Sequence, residues 1–118
     1  MKGKIFLVQF DPVSADRRAQ ELRECGWEVV GVEAEDGGRA HRGIRSHRPD
    51  MIILSLAHKP SHARELGRSL RATKATQDLP LVFVDGDDNA KRLTRSKVAN
   101  GVYATSEELE ATLAPYAT

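Results

Sequence analysis

Pro49-Asp50 leads directly into Met51-Ile52-Ile53-Leu54-Ser55-Leu56, and no other stretch limits the possible folds so tightly. A turn followed by a short, unbroken apolar run marks a strand buried on both faces, because a strand with one wet face alternates apolar with polar residues. Strands of that kind belong to parallel sheets covered by helices on both sides. In such sheets the chemistry sits just beyond the carboxyl ends of the strands. This strand brings a hydroxyl there, Ser55, and no carboxylate.

The remainder of the chain alternates between strand-like and helix-like segments. Lys4 to Val8 reads as a buried first strand. Asp11-Pro12-Val13-Ser14 then starts a helix, with Asp11 or Ser14 as N-cap and Ala15, Ala19 and Leu22 inward, ending at Gly26. Trp27 to Val32 is predicted as the second strand, with Trp27 packing at the sheet edge. Asp36-Gly37-Gly38 opens a second helix that buries Ala40, Gly43 and Ile44 and ends before Pro49. After the third strand, residues 62–73 form a helix on Ala63, Leu66 and Leu70. Leu81 to Val84 is the fourth strand, Asp88 to Val98 a weaker helix on Ala90 and Leu93, and Val102 to Ala104 a short fifth strand. Ser106 is predicted to cap a last helix, with Glu107 and Glu108 favourable against its dipole and Leu109 and Leu113 inward.

Five strands alternating with five helices imply an α/β three-layer sandwich around a parallel sheet. Right-handed crossovers leave the flavodoxin-like (βα)5 order 2-1-3-4-5 as the default for this count and length. That order puts the ends of strands 1 and 3 side by side, so Asp11, Ser55 and Asp85 are predicted to converge. A single domain over residues 1–118 is long enough to bury a core without disulfides or metals. With 40% hydrophobic and 30% charged residues, extended disorder is not expected. No apolar run spans a membrane and no signal-peptide pattern is present, so the expectation is a cytoplasmic chain. Its one cysteine, Cys25, suits a reducing compartment and reads as a small buried residue. A net charge of +1 exerts no global pull on nucleic acid or membrane.

Over residues 3–114 the chain resembles the receiver domains of bacterial response regulators. The resemblance rests on Asp11-Pro12 after strand 1, Asp36-Gly37 before helix 2, Pro49-Asp50 before strand 3, Leu79-Pro80 before strand 4 and Asn100-Gly101 before strand 5, in order and at matching spacing. In that family strand 3 ends in the aspartate that accepts a phosphoryl group, and here Ser55 stands in its place. Two acids after strand 1 hold a divalent cation in the family; the matching residues are Gln9 and Phe10, followed by Asp11. A small hydroxyl residue at the end of strand 4 is replaced by Asp85, whose charge opposes an incoming phosphoryl group. The family's strand 5 lysine matches Ser106, or Thr105 if the register moves by one. Acceptor, cation site and lysine are thus all missing. Phosphoryl transfer depends on positioning and electrostatic stabilisation, so the resemblance implies a pseudo-receiver without phosphotransfer. It is read as a non-enzymatic module of bacterial signal transduction that needs no cofactor or metal.

The same resemblance implies a partner surface on helix 4, strand 5 and helix 5, where Lys91, Arg92, Arg95 and Lys97 stand near Tyr103. An exposed aromatic among separated charges suits docking of another signalling protein, and a mixed polar surface that binds nothing fits equally well. Tyr103 is expected to hold one conformation. The alternative function is a ligand- or cation-sensing cleft at Asp11, Ser55 and Asp85, although helix capping or solvation accounts for the two acids more simply. No glycine-rich phosphate loop follows strand 1, and no base stands next to Ser55 in sequence, so catalysis is not expected. Arg39, His41, Arg42, Arg45, His47 and Arg48 form a basic run on helix 2, read as a solvated face in preference to a phosphate site. His58 and His62 straddle Pro60 and do not make a zinc pair.

Overall fold

The computed structural model describes residues 2–117. The strands are β1 (Lys4–Val8), β2 (Glu28–Glu33), β3 (Met51–Ser55), β4 (Leu81–Val84) and β5 (Val102–Ala104). The helices are α1 (Pro12–Glu24), α2 (Gly37–His47), α3 (Pro60–Ala72), α4 (Asp88–Lys97) and a short α5 (Leu109–Leu113), which tightens into one 3₁₀ turn at Ala114–Tyr116. All neighbouring strands pair in parallel, in the order β2-β1-β3-β4-β5. The expected order and fold class are therefore present.

Every residue of β3 is buried, as an apolar run in the middle of a doubly covered sheet must be. The strand's alternating side chains feed two separate cores. Ile52 and Leu54 join Phe6, Val8 and Phe83 under α2 and α3, which contribute Ala40, Ile44, Leu66 and Leu70. Met51 and Ile53 join Ile5, Leu7 and Val82 on the opposite face, under Leu22 of α1 and Leu109 and Leu113 of α5. Trp27 is buried in this second core just before β2, where its indole body adds apolar area. The edge strand β2 pairs with β1 through a register shift between Ile5 and Phe6. Beside it the Phe6 ring lies so close to Gly31 that an added Cβ would come within 2.3 Å of it.

Several local expectations are corrected. The helix expected over residues 62–73 begins earlier, at Pro60, because proline suits the first helical turn. On α4 it is Thr94 that is buried, with its hydroxyl returned to the Ala90 carbonyl at 2.7 Å, while Leu93 is half-exposed. Cys25 is half-buried. Ser106 does not cap the last helix. The N-cap position of α5 is Glu108, without a side-chain cap, and the turn before it is closed by a reciprocal pair in which the Glu108 amide donates to Thr105 Oγ1 at 3.2 Å and the Thr105 amide donates to Glu108 Oε1 at 3.0 Å.

Candidate functional site

The carboxyl ends of β1 and β4 and the start of the α5 segment meet at one edge of the sheet. Asp11 caps α1, accepting from the Ser14 amide at 3.1 Å and from Ser14 Oγ at 2.6 Å. Those Ser14 hydrogen bonds, the side-chain one first, hold the Asp11 carboxyl below its ordinary value of 3.8. Ser14 Oγ in turn accepts from Gln9 Nε2 at 2.8 Å. Gln9 is buried, and its other amide atom, Oε1, accepts from Arg18 Nε at 2.8 Å.

Arg18 is the centre of the site. Its Nη2 lies 3.3 Å from Asp85 Oδ2 and donates to Ser106 Oγ at 3.0 Å. Only 13% of its side chain is exposed. Ser106 completes the arrangement by donating its amide to Asp85 Oδ1 at 2.8 Å and its hydroxyl to Asp85 Oδ2 at 2.6 Å. An unbroken chain of hydrogen bonds thus runs from Asp11 through Ser14, Gln9 and Arg18 to Asp85 and Ser106. Backbone shape aims the carboxylate: Asp85 has φ 61° and Gly86 φ 88°, so the chain turns sharply after β4. A Cβ on Gly86 would lie 2.6 Å from that of Leu56, so only glycine fits there.

Asp11 and Asp85 stand at the two ends of this chain, with Gln9, Ser14 and Arg18 between them. Ser55 lies beside them as expected, its Cα paired with Val84 just before Asp85, but it makes no hydrogen bond to the network. It is 1% exposed, and Oγ accepts from the Ala57 amide within its own loop at 3.2 Å. Phe10 points its ring into the core beneath α3, edge-on to His62 at 5.7 Å between centroids. These residues do not fit a divalent cation. Such an ion needs several hard oxygens, and here the Gln9 oxygen is taken by a guanidinium, Phe10 offers none, and Asp85 already faces a positive charge. Among the described residues no group of three His, Cys, Asp or Glu side chains could hold a metal ion.

Sequence reasoning missed Arg18, because it lies within α1 and not at a strand end, where this fold gathers its chemistry. The signal was on α1: Arg18 lies three residues after Ala15 and four before Leu22, on the margin of the buried stripe. A long cation there can lay its stem along apolar surface and carry its head to the helix end.

Tyr103 differs from the exposed aromatic expected on the partner face. It is half-buried, stacked on Phe83 at 5.3 Å and covered by the Arg95 guanidinium 4.2 Å from the ring centroid. Its hydroxyl is sealed from solvent without a hydrogen-bond partner. Burial raises the phenol above its ordinary value of 10.0, against a smaller opposing pull from Arg95. Lys91 pairs with Asp88 at 3.5 Å, and Arg92 donates to Asn89 at 2.6 Å.

Comparison with known proteins places this geometry. No family model matches the chain. A stretch of 85 residues is 31% identical to the phosphate regulon transcriptional regulatory protein PhoB of Pseudomonas aeruginosa. It takes in 71% of this chain and 36% of PhoB, so the chain spans little more than a third of that relative. The chemotaxis protein CheY4 of Vibrio cholerae superposes with a TM-score of 0.80 at 18% identity, over 98% of this chain and 99% of that one. The receiver domain of the Pseudomonas aeruginosa sensor histidine kinase PA1611, solved with magnesium in its active-site cleft, superposes with a TM-score of 0.78 at 21% identity, over 98% of both chains. The signal receiver domain of a diguanylate cyclase from Desulfovibrio desulfuricans gives 0.73 at 19% identity, over 96% of this chain and 91% of its own. Those likenesses establish the fold: this chain is built as receiver domains are built.

Proposed function

We propose that the chain is a receiver domain of two-component signalling that does not undergo phosphotransfer and serves as a protein-interaction module. One observation carries this reading: the Arg18 guanidinium occupies the cleft and engages Gln9, Asp85 and Ser106. It supplies internally the positive charge that a phosphate-accepting site takes from a metal ion and a lysine. A fixed internal cation responds to no phosphodonor, and Ser55, at the acceptor position, is buried and hydrogen-bonded. The conformation is then set by the core and does not depend on modification. No helix among the described residues is long and apolar enough to cross a membrane.

The partner in this reading is another signalling protein, docked on α4, β5 and α5 around Lys91, Arg92, Arg95 and Tyr103, without direct contact to nucleic acid or membrane. Arg95 stacked on Tyr103 gives that face a rigid cationic knob, and rigid anchors lose little entropy on binding. Incubation of the protein with magnesium and acetyl phosphate, followed by intact-mass spectrometry, tests the central statement. The expected result is an unchanged mass, and a gain of one phosphoryl group overturns it. For the docking face, pull-down with Arg92→Glu and Arg95→Glu is expected to lose the partner.

A further inference from the structure

A cleft of about 590 Å³ lies between α2 and α3, outside the Arg18 network. Its size falls in the range that accepts small-molecule ligands. Arg42 and Arg45 line it from α2, His62 and Glu65 from α3, and the buried Leu66 contributes apolar surface. Glu65 is the only acid in the lining, and Arg68 already holds it at 2.9 Å. Arg42 and Arg45 are three residues apart, so they share one helix face, and among the described residues neither forms a salt bridge. Arg39, by contrast, is engaged by Glu33 at 3.1 Å. The surroundings reinforce the imbalance: α2, α3 and α4 together carry ten Arg and Lys residues against two acids, Glu65 and Asp88. A chain of net charge +1 has therefore gathered its basic helices on one side of the sheet, with Asp36, the N-cap of α2, as the acid whose charge Arg42 feels there.

We propose that this cleft binds a phosphate-bearing small molecule of nucleotide size, gripped by Arg42 and Arg45. Paired guanidinium forks match phosphate oxygens in geometry as well as charge. A small ligand is favoured over a through-running acidic chain because His41 Nε2 and Thr73 Oγ1, 3.2 Å apart, bridge the two helices across the cleft. The site stands independently of the Arg18 network and of whether the domain is phosphorylated.

The test is an amide ¹H–¹⁵N NMR titration of the whole chain with sodium pyrophosphate and with ATP, both free of divalent metal, and with adenosine as the phosphate-free control. Saturable shifts over residues 37–45 and 62–69 are expected with the first two and none with adenosine. Arg42→Gln and Arg45→Gln should each weaken pyrophosphate binding about tenfold. Glu65→Gln removes the opposing charge and frees Arg68, so it should strengthen binding, a gain that mere unfolding cannot mimic. All three side chains are exposed, and an unchanged remainder of the spectrum verifies folding. Absence of saturable shifts, affinity indifferent to all three substitutions, or binding of a polyglutamate peptide but not of pyrophosphate overturns the proposal.

Discussion

Arg18 is worth more to this chain than a surface arginine because its three contacts leave it little freedom and little water. Hydrogen bonds to a charged group contribute about 1.5–3 kcal/mol, and removing one partner strands the others. Arg18→Met keeps most of the stem and deletes the head, leaving Gln9 and Asp85 short of a donor. A loss of about 2 kcal/mol in urea unfolding is expected, and a variant as stable as wild type would show that the network is incidental. Tyr103 offers the opposite case. Its sealed hydroxyl forgoes hydration without a replacement bond, so Tyr103→Phe is expected to stabilise the fold by about 1 kcal/mol while the stacking on Phe83 persists. Glu33 brings pH into play. Burial works to raise its carboxyl, but hydrogen bonds from Arg39 and from the amides of Asp36 and Glu35 outweigh it and leave the group below its ordinary 4.5. A carboxyl depressed in the folded state contributes stability above the unfolded value and loses it as pH falls through the folded one. Stability should therefore decline below pH 4.5, and Glu33→Gln should flatten that part of the acid limb in a series of unfolding curves.

Single turns at element ends carry much of the local structure. The last helix has only five residues, too few to persist alone, so its start matters disproportionately. Thr105→Ala removes one side of the reciprocal pair that closes the turn leading into it and should cost about 1 kcal/mol, with faster amide exchange at Glu108. The junction of β1, β2 and α2 illustrates close packing instead of capping. Phe6 fills the space that Gly31 and Gly43 leave open, with virtual Cβ contacts of 2.3 and 2.9 Å. Overpacking of this kind typically costs 1–3 kcal/mol, so Gly31→Ala is expected to lower the melting temperature without changing the strand order.

Across the whole molecule, charge is segregated by the sheet. α5 and the turn before it carry Glu107, Glu108 and Glu110 without a basic residue, whereas α2 has three arginines and no acid on the other side. Arg71 binds that basic side together. Its guanidinium donates to the carbonyls of Gln77, Leu79, Ala99 and Asn100 at 2.6–3.3 Å, tying α3 to the loops that lead into β4 and β5.

The parallel sheet was legible in the chain because an apolar run such as Met51 to Leu54 has few other places to go, and five such alternations leave one economical order. Spacing likewise exposed the residues at the strand ends, and the chemical types of Gln9, Phe10 and Ser55 were plain without coordinates. What the tertiary structure decided was who meets whom. Arg18 reaches Asp85 and Ser106, 67 and 88 residues away in sequence, only because folding lays α1 alongside the segment that carries Ser106 and α5. Ser55 stands beside the end of β4, yet its hydroxyl accepts from the Ala57 amide in its own loop and makes no hydrogen bond to the network. Local periodicity reports which face a residue takes; the direction in which a long polar side chain leaves that face depends on partners brought near by folding, and no local pattern encodes them.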